Sequence, residues 1–204
     1  MLPQNPPEIE PEPEPDPDLF VAEGNVNPLT GLCDGISDEA LTRRPVAVMI
    51  NNMIKALPQW GISQADIIYE MLVEGGITRM MAIYSDYTKV PKICSIRSCR
   101  YYFPVFAMGF GAVYFCYGSN ETIATPTLKR LGIDYIDGNK AGDSLVFARD
   151  PERLQYYSLE HTAYLKGENM KEVFEKYKFS KNIHIIPTGI EVERFYKENQ
   201  KQSD

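Results

Sequence analysis

Seven residues carry the chemistry that this sequence offers: Glu70, Glu74, Arg79, Arg97, Ser98, Arg100 and His161. The first three lie inside the apolar run ADIIYEMLVEGGITRMMAIY (65–84), and the arginines follow in SIRSCR (95–100). Charges inside apolar sequence need partners, water or a ligand. Two carboxylates could do acid–base work, but an arginine between them keeps both ionised, which suits binding better than proton donation. Ser98 lies at a strand-to-helix junction, where free backbone N–H groups attract anions and flanking arginines add to the attraction. His161, in Glu160-His161-Thr162, is one of only two histidines and reads either as a loop base or as a hydrogen-bonded structural residue. A Ser-His-acid triad from Ser119 or Ser98 has no local motif behind it. Tyr117-Gly118-Ser119-Asn120 is a second strand-to-helix junction, without the residues of a phosphate loop.

The element that must position the first group is a hairpin. Ile67 to Tyr84 reads as two strands around Gly75-Gly76, because adjacent glycines tolerate the positive φ values of a two-residue turn. A helix beginning near Ser63 is the rival, but the Ile67-Ile68 pair and the strand-like second half favour the hairpin. A two-residue turn sets Glu74 opposite Ile77, Leu72 opposite Arg79 and Glu70 opposite Met81. Arg79 then has Glu70 and Glu74 on its diagonals. Ile67, Tyr69, Met71, Val73, Thr78, Met80, Ala82 and Tyr84 form the core face. The polar face is either a salt-bridge cluster that fixes register or the floor of a pocket. The arginines at 97 and 100 either bind an anion or pair with Glu70, Glu74 or Asp86.

The rest of the chain supplies strands at Pro45–Asn51, Lys92–Ile96, Ala112–Tyr117, Ile133–Ile136, Leu145–Ala148 and Ile183–Ile186. Helices are expected at Ser98–Met108, Asn120–Leu131 and Gly167–Tyr177, the last with apolar residues at i, i+3, i+4 and i+7. Asp137-Gly138 reads as a turn, and Trp60 as the anchor of the 56–63 loop. The hairpin demands antiparallel pairing, while strands and helices alternate only in part. The fold class is α/β: a layered sandwich with a mixed β-sheet containing a long Gly-Gly hairpin, and helices packed on it.

With 204 residues and 44% hydrophobic content, the chain has material for one ordinary domain plus tails. Its formal net charge is −7, but residues 1–18 hold six acids and no base, so the remainder is close to neutral. No basic stripe points to nucleic acid. Residues 1–19 read as an acidic, proline-rich linker, 20–180 as the domain, and 181–204 as a C-terminal strand and tail, with a foreign or truncated segment as the alternative. Cys33, Cys94, Cys99 and Cys116 form no metal pattern with the histidines, and no cofactor motif is present. They read as reduced, mostly buried thiols, a Cys94–Cys99 bridge being the alternative. The longest apolar run, Phe103 to Tyr117, is too short and too glycine-broken for a spanning helix. No leader is read, which fits a cytoplasmic protein or an exported one written without it.

Several motifs together carry a resemblance. NPLTGL (27–32), RPVAVMINN (44–52), SQADIIYEMLVEGGITR (63–79), SIRSCR (95–100), YGSNE, FARDPER and EHTAYLKGENMKE resemble, in order, the YerB-like family, grouped as domain of unknown function 3048. The resemblance covers about residues 27–178. It implies an α/β layered fold, an exported bacterial envelope lipoprotein with a lipid anchor absent from this chain, and a further C-terminal domain. It implies no established activity. The family's recurrent positions correspond here to Glu70, Glu74, Arg79, Arg97, Ser98 and Arg100. Where members often read Pro-Ile/Val-Arg-Ser-Ala-Arg, this chain has Ser95 and Cys99 in place of the proline and alanine. The expected function is therefore a non-catalytic, extracytoplasmic envelope binding or scaffold domain, taking an anionic envelope ligand or an envelope protein. An envelope hydrolase using Glu70 or Glu74 with His161 is the alternative. The stretch 182–195 (NIHIIPTGIEVERF) resembles a strand and loop of retaining glycosyltransferases with two Rossmann domains, which makes a fragment of a glycan-transfer enzyme a third reading.

Overall fold

The computed structural model describes residues 24–33, 35–141 and 145–179. The acidic segment 1–19 and the glycosyltransferase-like stretch 182–195, with the strand expected at 183–186, lie outside these residues.

Strand β1 (Val46–Asn51) is buried at all six positions because it is the middle strand of a five-stranded sheet. β2 (Ile67–Leu72) and β3 (Thr78–Tyr84) form the expected hairpin, and β3 pairs antiparallel with β1. On the other side of β1 lie β5 (Val113–Cys116) and β6 (Tyr135–Asp137), both parallel to it. The order is β2-β3-β1-β5-β6, so the sheet is mixed. A second sheet, β4-β8-β7, is made of β4 (Ile93–Cys94), β7 (Phe147–Arg149) and β8 (Ala163–Leu165).

The pleat sends alternate residues of β1 into two cores. Val46, Val48 and Ile50 pack with Ile93, Phe147 and Leu165 of the second sheet and with Met170 and Val173 of helix α6 (Met170–Tyr177). Ala47 and Met49 pack with Phe103 and Ala107 of α2 (Phe103–Gly109) and Leu128 of α3 (Ala124–Leu131). The result is a three-layer α/β sandwich. Three one-turn helices complete it: α1 (Asp38–Leu41), α4 (Gly138–Ala141) and α5 (Arg153–Tyr156).

The hairpin register differs from the sequence expectation by one residue. Leu72 pairs with Thr78, Met71 with Arg79 and Glu70 with Met80. The loop is longer than two residues: Val73 N–H donates to Ile77 O at 2.8 Å around the 3-10 turn Glu74–Gly76. Gly75 and Gly76 both take positive φ, 74° and 71°. One added loop residue moves half of the hairpin to the other face. Ile67, Tyr69 and Met71 do face the helical core, but their partners on that face are Ile83, Met81 and Arg79. Met80, Ala82 and Tyr84 point into the other core. Arg79 and Glu70 therefore lie on opposite faces, and the Glu70–Arg79–Glu74 cluster does not form.

Other corrections are local. The helix expected from Ser98 begins at Phe103, with Pro104 in its first turn, where its missing N–H costs nothing. The helix expected from Asn120 begins at Ala124. Asp137 ends a strand and Gly138 opens α4, so the pair is not a free turn. Trp60 does tie down its loop, but through backbone bonds with Cys94 (2.9 and 3.0 Å) and through Lys92 and Arg153 stacked 4.4 Å from its ring. The thiols of Cys94, Cys99 and Cys116 are buried and free, and that of Cys33 is exposed.

The two registers are separable by mutation. Met81 is fully buried, whereas Leu72 is 69% exposed. Met81→Ala should cost about 2–5 kcal/mol in urea unfolding, and Leu72→Ala less than about 0.5 kcal/mol.

Candidate functional site

Parallel strands β1 and β5 pair only over Val46–Val48 and Val113–Phe115. Beyond that they splay, and the segment after β4 lies between them. Asn51 N–H donates to Ser95 O (2.9 Å) and Arg97 N–H to Met49 O (3.0 Å). On the other side Tyr117 N–H donates to Arg97 O (3.0 Å) and Cys99 N–H to Gly118 O (2.8 Å). Ile96 N–H reaches Ala163 O of β8 at 2.9 Å, so the same segment also joins the two sheets. These bonds explain why no helix starts at Ser98. Two amides of that junction, those of Arg97 and Cys99, are already used.

The side chains of this wedge open into a cleft of about 480 Å³ at the carboxyl ends of β1, β5 and β6, with Arg79 reaching in from the start of β3. Four arginines line it: Arg79, Arg97, Arg100 and Arg149. Arg79 is 5% exposed and donates to Ser98 O at 2.6 Å. Burial above all, then the charges of Arg100 and Arg97, pulls its pKa down to about 10, so it remains charged at neutral pH. Arg97 donates to Glu160 Oε2 (2.8 Å) and Glu160 O (3.1 Å). Arg100 holds Glu74 Oε2 at 2.6–2.7 Å. Arg149 donates to Leu159 O (2.6 Å) and Thr162 Oγ1 (3.3 Å), and its guanidinium carbon lies 4.3 Å from the Tyr117 ring centroid. Glu74 and Glu160 are held below the usual carboxylate range, first by their hydrogen bonds from Arg100 and Arg97. Among the described residues, Arg79 and Arg149 have no carboxylate within ion-pair distance.

The far wall is built on Asp137. Its buried carboxylate accepts from Gly118 N–H (2.7 Å), Ser119 Oγ (2.7 Å) and Asn139 N–H (3.0 Å). This ties the loop after β5 to the end of β6. Gly118 takes φ 102°, and a Cβ there would come within 3.0 Å of Asn139 Nδ2 and 3.1 Å of Ser98 Oγ. Glycine is thus required on both conformational and steric grounds.

Of the residues singled out from sequence, Arg79, Arg97, Ser98 and Arg100 converge on the cleft. Glu74 joins them through Arg100. Glu70 does not: it accepts from Asn52 Nδ2 (2.9 Å) and Thr78 Oγ1 (2.6 Å) on the opposite face of the hairpin. His161 is buried, with Nδ1 2.8 Å from Asn51 Nδ2 and Nε2 3.5 Å from Glu160 Oε1. The amide N–H can only donate, so Nδ1 is the acceptor. Among the described residues, His161 is hydrogen-bonded to neither Glu70 nor Glu74; its partners are Asn51 and Glu160. Sequence reading missed Arg149, Tyr117, Asn139 and Asp137 as parts of one site. The available signal was positional: each stands at or just beyond the end of a strand.

Fold and site together define a layered α/β domain with an arginine-lined cleft at the ends of its parallel strands. The family described as "Protein of unknown function (DUF3048) N-terminal domain" matches residues 29–180, and the chain belongs to it. It is 36% identical over 152 residues to "Putative lipoprotein YerB" of Bacillus subtilis (strain 168), a match covering 71% of this chain and 44% of that protein. The crystal structure of the YerB protein from Bacillus subtilis superposes with a TM-score of 0.65 at 33% identity, over 76% of this chain and 50% of the other. The chain thus spans about half the length of the relatives it matches.

Burial lowers the His161 pKa below 6.5; Glu160 opposes this and Arg97, Arg153 and Lys55 reinforce it. The unfolded state therefore binds this proton more readily than the folded one, and stability falls as pH drops through 6.5. The unfolding midpoint should decline from pH 7.5 to 5.5. His161→Gln should flatten that slope relative to wild type in paired thermal melts.

Proposed function

We propose that this chain is a non-catalytic binding domain of the bacterial cell envelope, and that its ligand is anionic. The observation that carries the reading is the convergence of four guanidinium groups on one cleft, two of them facing only neutral acceptors. Like charges held this close repel: after burial, the charges of Arg100 and Arg97 also pull the Arg79 pKa down. An anion relieves it. The cleft's size suits a small ligand or one end of a polymer, and its place at the carboxyl ends of parallel strands is where open α/β sheets usually bind. Arginine forks match carboxylate and phosphate oxygens in pairs. Glu74 and Glu160 act as internal counter-ions that an incoming anion displaces or joins. Both are ionised by their arginine partners, so neither is poised to donate a proton.

The envelope location is supported by the relative's name, "Putative lipoprotein YerB". In producing cells, the protein should fractionate with membranes and be degraded by protease added to protoplasts. Recovery in the soluble, protected fraction would sink the location.

Binding is tested by titrating inorganic phosphate and succinate against wild type and Arg97→Ala, with isothermal calorimetry as the readout. The variant should bind roughly tenfold or more weakly. Its melting temperature should stay nearly unchanged, because the ion pair Arg97 makes is with a half-exposed glutamate. Affinity should also fall as ionic strength rises. Equal binding by wild type and Arg97→Ala would exclude the cleft as the anion site.

A further inference from the structure

β2 is the outer strand of the five-stranded sheet on the hairpin side. One edge of it pairs with β3, from Ile67 opposite Ile83 to Leu72 opposite Thr78. That register fixes what the other edge carries. In an antiparallel pair, residues that exchange hydrogen bonds alternate with residues whose N–H and C=O turn away from the partner. Val73 N–H donates to Ile77 O at 2.8 Å, so the bonded positions are the odd ones from 67 to 73. The main-chain groups of Ile68, Glu70 and Leu72 therefore point out of the sheet edge. The Tyr102 hydroxyl donates to Leu72 O and closes one end of that edge. Among the described residues, no main chain pairs with the N–H and C=O of Ile68 and Glu70 or with the N–H of Leu72.

The side chains at these three positions share one face. Their neighbours across the hairpin are Ala82, Met80 and Thr78. The second layer covers Ala82 and Met80, but Ile68 is 43% and Leu72 69% exposed. Glu70 is exposed between them. Both of its hydrogen bonds, from Asn52 Nδ2 and Thr78 Oγ1, fall on Oε1. Among the described residues, no lysine or arginine lies within ion-pair distance of it. A single charge can guard an edge strand against unwanted pairing. A guard does not call for a large exposed apolar side chain on each side of it.

We infer that the outer edge of β2 binds an extended polypeptide by strand addition, and that this peptide carries a basic residue between two apolar ones at alternate positions. Main-chain bonds to Ile68, Glu70 and Leu72 give the affinity, and the alternate side chains give the specificity. Paired antiparallel, the basic residue sits opposite Glu70 and the apolar residues sit opposite Ile68 and Leu72. A second copy of this chain fits less well. The register that would set Ile68 opposite Leu72 of that copy would also set two Glu70 carboxylates opposite each other, which is destabilising. The edge is separate from the arginine cleft, since no residue of β2 lines the cleft.

The test uses the full chain and the capped peptide Thr-Val-Thr-Lys-Thr-Val-Thr, with calorimetry and amide hydrogen exchange as readouts. Without peptide, the amides of Ile68 and Glu70 should exchange at least tenfold faster than those of Tyr69 and Met71, which donate to β3. Peptide should slow the first pair and leave the second nearly unchanged. Glutamate in place of the peptide's lysine should weaken binding about fivefold or more. N-methylation of that lysine, whose N–H meets Glu70 O, should abolish binding, and N-methylation of an adjacent threonine should cost far less. Glu70→Gln keeps an acceptor for Asn52 and Thr78 and should weaken the lysine peptide about threefold, with the melting temperature nearly unchanged. Arg97→Ala should bind the peptide like wild type. Slow exchange at Ile68 and Glu70 without peptide would mean that the edge is already covered, by this chain or by a second copy. That result, no calorimetric binding of the lysine peptide, equal affinity for the glutamate peptide, or full binding of the N-methyl-lysine peptide would each overturn the inference.

Discussion

The structure depends on how the carboxyl end of β1 is hydrogen-bonded. Over its first half β1 pairs with β3 on one side and β5 on the other. Over its second half the β5 side is taken by residues 95–97, through Asn51 and Met49. That substitution holds the parallel strands apart and gives Asn51 N–H, Met49 O and Tyr117 N–H main-chain partners in the segment between them. It also fixes Arg97 on backbone that is bonded on both edges. Rigid backbone under long cationic side chains is a sound way to hold charges close that would otherwise separate.

The cost of that arrangement is visible in where the acids sit. Asp137, the carboxylate buried at the cleft wall, spends its acceptors on backbone N–H groups and Ser119, and so shapes the wall. Glu74 and Glu160, which do meet arginines, are exposed on a hairpin loop and a 3-10 turn. Surface ion pairs of this kind contribute little to stability. The neutralising groups are thus the exposed and weakly held ones, and the cations are the more buried ones. A cleft with that asymmetry is better suited to exchanging one anion for another than to holding a fixed structural salt bridge.

The two ends of β1 use the same side-chain chemistry in different ways. At the carboxyl end, arginines crowd one another around a polar crevice. At the amino end, Arg43 meets an aromatic stack and a buried phenol. The first environment rewards charge and little else. The second sets a cation beside flat apolar rings. Membership of a family whose function is unknown leaves both environments to be judged on their own geometry.

Much of this was legible in the residues alone. The valine-rich run at 46–51, the paired glycines at 75–76 and the alternation before them determined a central strand and a hairpin, and with them a mixed, layered α/β fold. The motifs determined the family. Arg79, Arg97, Ser98 and Arg100 were also recognisable as a group, since charge and anion-binding types cluster there in sequence. What sequence could not determine was register. Two-residue and three-residue loops suit the same glycines, yet a single residue decides whether Arg79 faces Glu70 or Ser98. Only the tertiary structure decided that, because burial of Met81 against the helices and Met80 against the second sheet fixes the pleat. Tertiary structure alone also brought in Arg149 and Asp137, which reach the cleft from strands distant in sequence. Short-range patterns report which residues want to be extended or buried. Which strand ends meet is set by packing between layers, and the site exists only where they meet.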